Sequence, residues 1–359
     1  MELFKNVLGI VSEPDLMATG FTVARPNDPT DGLFPDEVTN NLVAKWNILA
    51  SEYQIGQMAQ FHAFDTEAQK SIRVPIDERY VEKGLIKVKR STSELIRQLL
   101  NRGVTVEAEL YDYVMDDATK LADEVIVRTK VTKNELLATG KVTIKENNLD
   151  LTVDYGVPNA NLTLTLDVGD GATTPLPDQI QAIVDRAASV GVALTGIVTT
   201  TKVMSKIRSN TTVQRAINGS SMVGVLVTNS ALRGWLEAEY GITRVIVQDL
   251  TYSTPYTMGT DGRPVVHQKR YYPENRITFF GTGNGMDLGR GLWGIPPEEQ
   301  IGQLSGQTST SSQNPYVWMH QWAENDPAVV WMKASGLFMP VLYNPNSLYV
   351  ATVTETPAG

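Results

Sequence analysis

The residues that could do chemistry are few and poorly spaced for it. The 359 residues contain no cysteine, which excludes a thiol nucleophile, a disulfide framework and a Cys-ligated zinc site. The three histidines, His62, His267 and His320, lie far apart. None has a second ligand-type residue at metal-binding spacing on a regular element, so they read as surface histidines. The stretch "GTGNGMDLGRG" at 281–291 is glycine-rich like a phosphate loop, but the following "LWGIPPEEQ" does not open a helix where a dinucleotide site needs one. It reads as a glycine-rich turn. "DVGDGA" at 167–172 begins like a calcium loop and lacks the closing bidentate glutamate. Asp116 and Asp117 are neighbours on a predicted helix and point in different directions, which makes them poor joint ligands. No serine stands in a strand–turn–helix elbow. The sequence therefore implies no cofactor, no metal and no catalytic set.

The totals narrow the classes further. Apolar residues make up 42 %, enough for a sizeable core, and 40 acidic against 31 basic side chains give a net charge of −9. Grip on nucleic acid comes from clustered Lys and Arg, so the balance argues against a nucleic-acid binder. It allows an acidic wall past which DNA can move. The N-terminal stretch "MELFKNVLGIVSEPDLMATG" lacks the basic start and small-residue cleavage site of a signal peptide. No apolar run approaches the roughly 20 residues of a membrane span.

The elements that could carry any function are as follows. Residues 1–40, punctuated by Pro14, Pro26, Pro29 and Pro35, predict an extended arm with little core of its own. Residues 57–64, a polar turn at 65–71 and a return from Ile72 predict a hairpin. Between 65 and 90 its mixed charges include Lys70, Arg73, Arg79, Lys83, Lys87, Lys89 and Arg90. Such a segment buries itself poorly and either stays solvated or lies on another surface.

Residues 105–133 predict the longest helix, with Leu110, Val114, Ala118, Leu121 and Val125 as its stripe and Thr105 as N-cap. Its other face is acidic through Glu107, Glu109, Asp112, Asp116, Asp117, Asp123 and Glu124, opposed only by Lys120. After residue 138 the period changes to two, and "KVTIKENNLDLTV" and "NLTLTLDV" read as strands.

Residues 178–250 predict an α/β unit. Its first helix is capped by Asp178, with Gln181 at the capping-box position and Gly191 as the stop. A strand at 193–199, a helix near 201–208, a strand at 223–227, a helix at 230–240 and a strand at 243–248 follow. Strands and long turns occupy 250–295. Residues 303–315, "QLSGQTSTSSQNP", predict a polar surface loop, and the chain ends in strands.

Several stretches, in this order, resemble one known family. They are "LFP" (33–35) followed by "QMAQFHAFDTEAQKSIRVPIDERYVEKGLIKVKR", then "ELLATGKVTI" with "VDYG", then "YVWMHQWAENDPAVVWMKASGLFMPVLYNPNSLYVATV" with Asp326-Pro327 and "NPN" at 344–346. The chain resembles the lambda-type major capsid proteins, the phage major capsid protein E family. The resemblance implies an α+β fold of the Hong Kong 97 type. It implies an N-terminal arm (1–50), an extended hairpin loop (51–95), a spine helix with the first part of a peripheral domain (96–175), an α/β axial domain (176–317) and return strands of the peripheral domain (318–359).

The implied function is a head subunit, not an enzyme, which assembles with itself into hexamers and pentamers of an icosahedral shell. That shell encloses the double-stranded DNA of a tailed phage or prophage without sequence-specific binding and without a membrane. Assembly would take place in the host bacterial cytoplasm, with a separate scaffolding protein and a portal protein. A decoration protein is an option the family offers and the sequence does not demand. Lys70, Arg73, Arg79, Lys83, Lys87 and Arg90 are the expected contacts to carboxylates of neighbouring subunits. Glu109, Asp112, Asp116, Asp117, Asp123 and Glu124 form the expected acidic face towards DNA. Some relatives weld their shells by a Lys–Asn isopeptide bond, for which Lys70 or Lys83 and Asn325 or Asn344 would be the candidates, but lambda-type shells generally do without it. The competing readings are an encapsulin-like compartment shell and an α/β enzyme.

Overall fold

The computed structural model describes residues 28–49, 76–92, 106–147, 149–219, 224–258, 264–282, 287–297, 317–325 and 328–357. Two five-stranded sheets and one long helix organise them.

The first sheet is built on β15 (Ala328–Leu342). Along one edge of β15 run β13 (Gly289–Gly294), against 337–342, and β14 (Trp318–Asn325), against 328–335. β4 (Gly84–Thr92) takes the other edge, from Val330↔Thr92 to Phe338↔Gly84. The short strand β1 (Asp36–Val38) adds in parallel to β13. The hairpin stem of β2 (Val43–Leu49) and β3 (Ile76–Glu82) is a separate two-stranded ribbon.

Helix α1 (Val106–Thr139) has 34 residues, roughly 50 Å at 1.5 Å per residue. Ala118, Leu121, Ala122, Val125 and Ile126 are buried along it, at helical spacing. Gly140, with φ +69°, ends it in the left-handed conformation that a side chain resists. Its N–H returns to the Leu136 carbonyl. The chain then enters the hairpin of β5 (Lys141–Glu146) and β6 (Leu149–Asp154).

The second sheet has the order β7 (Leu164–Asp167), β16 (Leu348–Thr354), β12 (Arg276–Phe280), β8 (Gly196–Thr199), β9 (Arg244–Val247). A one-turn helix α2 (Asn159–Leu162) precedes β7. Helices α3 (Leu176–Ser189), α4 (Thr201–Ser209), α5 (Thr211–Asn218) and α6 (Asn229–Tyr240) connect the strands. Their apolar faces close one core with Ile197, Ile277, Phe279, Tyr349 and Ala351. Alternate residues of the same strands, Val198, Phe280, Leu348 and Val350, point into a second core with Leu136 and Leu137 of α1, Tyr155 and Met339. The second sheet is thus clamped between its own helices and the end of the long helix. A second ribbon, β10 (Thr251–Met258) with β11 (Pro264–Arg270), stands apart from both sheets.

Several expectations need correction. The end of the predicted arm has a core: Leu33 and Phe34 are fully buried among Leu136, Leu292 and Met339. Residues 84–92 of the predicted solvated hairpin are a strand of the first sheet. The long helix continues to Thr139. Residues 159–162 of "NLTLTLDV" and its approach form a helical turn.

Helix α3 starts at Leu176 after Pro175, so Asp178 lies in its first turn and Gln181 donates to Asp185 rather than closing a capping box. Gln179 ties that end down instead, accepting from the Asp167 N–H and donating to the Asp167 and Thr174 carbonyls. The predicted strand at 223–227 is not a strand in its described residues 224–227, and α5 was not expected. Thr105, the strand at 57–64 with its turn, and the loop 303–315 lie outside the described residues.

Candidate functional site

The six cations expected at subunit contacts do not share one environment. Lys70 and Arg73 lie outside the described residues. Arg79 stands in β3, opposite Trp46. Lys87 is exposed on β4, opposite Ser335.

The other two are engaged within the subunit. Lys83 is 4 % exposed at the β3–β4 corner. Its ammonium donates to the carbonyls of Thr39 (3.0 Å), Asn41 (2.7 Å) and Trp293 (3.0 Å) and to Thr39 Oγ1. Burial without a carboxylate pushes its pKa down to about 8. Asn344 accepts from the Asn346 N–H in its own turn at 2.9 Å. Arg90 reaches from β4 to the long helix, with Nη1 2.6 Å from Asp117 and Nη2 3.0 Å from Glu124.

The acidic face is therefore more neutralised than the sequence suggests. Asp117 and Glu124 share Arg90, and Asp116 pairs with Lys120 at 2.5 Å. Burial raises the pKa of Glu124 against the opposing pull of Arg90, and raises that of Asp123 against Lys130. Glu109 and Asp112 lie on the first turns of α1.

Other residues read as ligands are occupied as well. Asp167 accepts from Gly169 and Thr356, and Asp170 accepts from Thr211, so both carboxylates of "DVGDGA" serve turns. His320 stacks on Trp322 with centroids 5.7 Å apart, and His267 pairs with Thr254 in the β10–β11 ribbon. Among the described residues no three His, Asp or Glu side chains come together as metal ligands.

The most developed polar cluster was missed by the sequence reading. Near the C-terminal end of α1, the segment 28–36 is fastened to the helix. The buried Asp28 carboxylate accepts from Thr30 N (2.8 Å) and Oγ1 (2.6 Å), from Asn134 Nδ2 (3.2 Å) and from Gln248 Nε2 (2.7 Å). Four donors on one buried carboxylate meet the hydrogen-bonding demand that burial imposes. Gln248 follows β9, so this one group links the N-terminal segment, the long helix and the second sheet.

Beside it, Lys133 pairs with Asp36 (2.8 Å) and Asp31 (3.6 Å), and Lys130 with Asp31 (3.2 Å). Both lysine side chains are 3 % exposed. A signal for this did exist. "VIVRTKVTKNELLA" (125–138) carries apolar residues on every side of the helix, the mark of a helix buried all round. Its lysines and asparagine must then have buried partners.

The chemistry of the cluster is that of a fastening, and it fixes the strand that leads into the β2–β3 ribbon. Tyr80 of that ribbon is exposed at 75 %, and Leu42, just before it, at 57 %.

The sequence model of the phage major capsid protein E family matches residues 51–353. The structure is similar to a putative capsid protein of a prophage of E. coli CFT073, with TM-score 0.54 and 16 % identity over 98 % of each chain. It is also similar to a phage-related protein of Bordetella bronchiseptica RB50, with TM-score 0.51 and 10 % identity over 94 % of this chain and 96 % of that one. At such identities the two structures establish the Hong Kong 97-type fold, and the family match reaches further. No curated protein matches the sequence. By the match over 51–353, the chain belongs to the phage major capsid protein E family.

Proposed function

We propose that this capsid protein builds its shell from hexamers and pentamers whose subunits are held by the β2–β3 ribbon and the extended loop it carries, lying on neighbouring copies. The observation that carries the reading is the β2–β3 ribbon. A two-stranded ribbon is marginal alone in water, and this one belongs to neither sheet while Tyr80 stands exposed on it and Leu42 exposed at its entry. Neighbouring copies are the surface on which such a ribbon gains stability, because obligate assemblies share large and partly apolar interfaces.

Lys70, Arg73, Arg79 and Lys87 are the cations that set register there, and Lys83 and Arg90 hold the loop's return strand to its own subunit. The domain scheme follows from the same reading: arm to 50, extended loop to 95, spine helix and first part of the peripheral domain over 96–175, axial domain over 176–317 and return strands of the peripheral domain over 318–359. A separate scaffolding protein, a portal and an optional decoration protein complete the head, which encloses double-stranded DNA without reading its sequence. The shell forms in the bacterial cytoplasm, and the protein performs no reaction.

The test is electron microscopy and sedimentation of the full chain, with and without a co-expressed scaffolding protein from the same phage. Rings or closed shells are expected. A chain that remains a single 39.5 kDa species in both conditions overturns the reading.

A further inference from the structure

Between α4 and α6 lies a small cleft of about 50 Å³, lined by Thr201, Ser205 and Arg208 of α4, Asn229 and Arg233 of α6, and Val247 of β9. Two guanidinium groups line one space, and among the described residues neither has a carboxylate partner. The Nε of Arg208 is buried without a hydrogen-bond acceptor. An unmatched buried donor is costly and points to a missing acceptor. Arg233 stands four residues before Glu237 on the same helix, the less favourable order for an ion pair, and its side chain is exposed at the rim of the cleft. Asp249, bonded to Thr201, is already taken by that residue and by Arg270.

The lining therefore offers two cations, a hydroxyl and an amide to an anion of a few heavy atoms. Paired arginines suit a planar carboxylate, which accepts two parallel N–H bonds.

We propose that this cleft takes a carboxylate side chain from a second copy of the chain. The inference rests on the shell reading above. Charge complementarity selects the occupant: the chain carries 40 acidic against 31 basic side chains, so a ring of copies presents carboxylates to each cleft at high local concentration. A head-to-tail contact of this kind brings two different surfaces together, the type of interface that gives a ring when its rotation closes.

The test uses the full chain with two substitutions at the exposed Arg233. Arg233→Glu places like charges at the contact, and the yield of rings and shells should fall by about tenfold or more while the thermal midpoint stays that of the wild type. Arg233→Lys is treated with a water-soluble carbodiimide in shells mixed from unlabelled and isotope-labelled copies. An amide between the new amine and a carboxylate of differently labelled peptide is expected.

If wild type assembles and Arg233→Glu assembles equally well, or if shells yield only same-label links or none at position 233, the assignment of the cleft is overturned and the shell reading stands. If wild type does not assemble at all, the shell reading falls and takes this inference with it.

Discussion

Along the long helix, the ion pairs near its middle and those near its C-terminal end use the same side chains under opposite conditions. Around residues 116–124, Asp116–Lys120 and Arg90–Glu124 sit at the surface, with Asp116 and Lys120 at 60 % and 57 % side-chain exposure. Around 130–134, Lys130, Lys133 and Asn134 are almost wholly enclosed and hold Asp31, Asp36 and Asp28. Water screens the first group, and removing one member leaves the other solvated. Removing a member of the second strands a charge without water. The difference teaches that the helix has two jobs: a tolerant charged surface in its middle, and at its end a fastening that joins segment 28–38, both sheets and the helix.

Lys133→Ala tests that contrast most severely. Asp36 and Asp31 lose their enclosed partner, and breaking a buried pair costs about 3–5 kcal/mol. Urea unfolding should show that loss, and hydrogen exchange at residues 31–38 should quicken before the rest of the chain. A loss below 1 kcal/mol would mean that water reaches the site and that the two halves of the helix do not differ.

Asp28→Ala removes the shared acceptor of Thr30, Asn134 and Gln248. Hydrogen bonds to a charged group contribute about 1.5–3 kcal/mol, and some of these donors can turn to Asn134 Oδ1, which already lies 3.4 Å from Gln248 Nε2. The expected loss is about 2 kcal/mol by the same unfolding measurement. Asp28→Asn should recover part of it, since an amide oxygen still accepts. Equal losses for both variants would show that packing, not the carboxylate, holds the junction.

The same contrast explains what the sequence could and could not disclose. The α/β unit was legible because its helices obey a local rule, an apolar stripe at Ile180, Ile183 and Ala187 or at Leu232, Trp235 and Leu236. The β5–β6 hairpin was legible through its alternation. The family resemblance came from the order of stretches rather than from any one of them.

The buried junction was hidden because Asp28 meets Asn134 and Gln248 across 106 and 220 positions, and nothing local distinguishes a lysine that is to be enclosed. Arg90 and Lys83 looked like free loop cations for the same reason. Their partners come from the long helix and from β13, and residues 84–92, sparse in apolar side chains, enter a sheet through backbone pairing. The predicted strand at 223–227 is apolar, "VGVLV", but Gly224 has φ +88° and breaks the extended run. The cap of α3 failed as a local rule too, because Gln179 binds across the turn to Asp167 while Asp178 stays in the first turn.

Lys83 belongs to the enclosed class but has no carboxylate, which gives it a pH signature of its own. The folded chain releases this proton near pH 8, whereas the unfolded chain holds it to about 10.5. Between those values the unfolded state binds more protons, so stability from this group rises with pH and the cost of the buried charge is present below pH 8. Relative to Lys83→Met, wild type should gain in thermal midpoint from pH 8 to 10.5. A constant difference between the two proteins over that range would show that the three carbonyls hold the charged form as well as water does.

Lys120→Ala completes the scale at its low end. Lys120 and Asp116 face solvent and stand four residues apart on one helix, with the acid on the N-terminal side, the favourable order. The Asp116 carboxylate raises the pKa of Lys120, yet this pair is screened by water and salt and its loss strands neither partner. Alanine also favours the helix at least as well as lysine. The thermal midpoint of Lys120→Ala should match that of wild type within error at physiological salt, with a small deficit only at low ionic strength. A clear loss at high salt would mean that something covers this face of the helix in the folded subunit, and the middle of α1 would then have to be reclassified with its enclosed end.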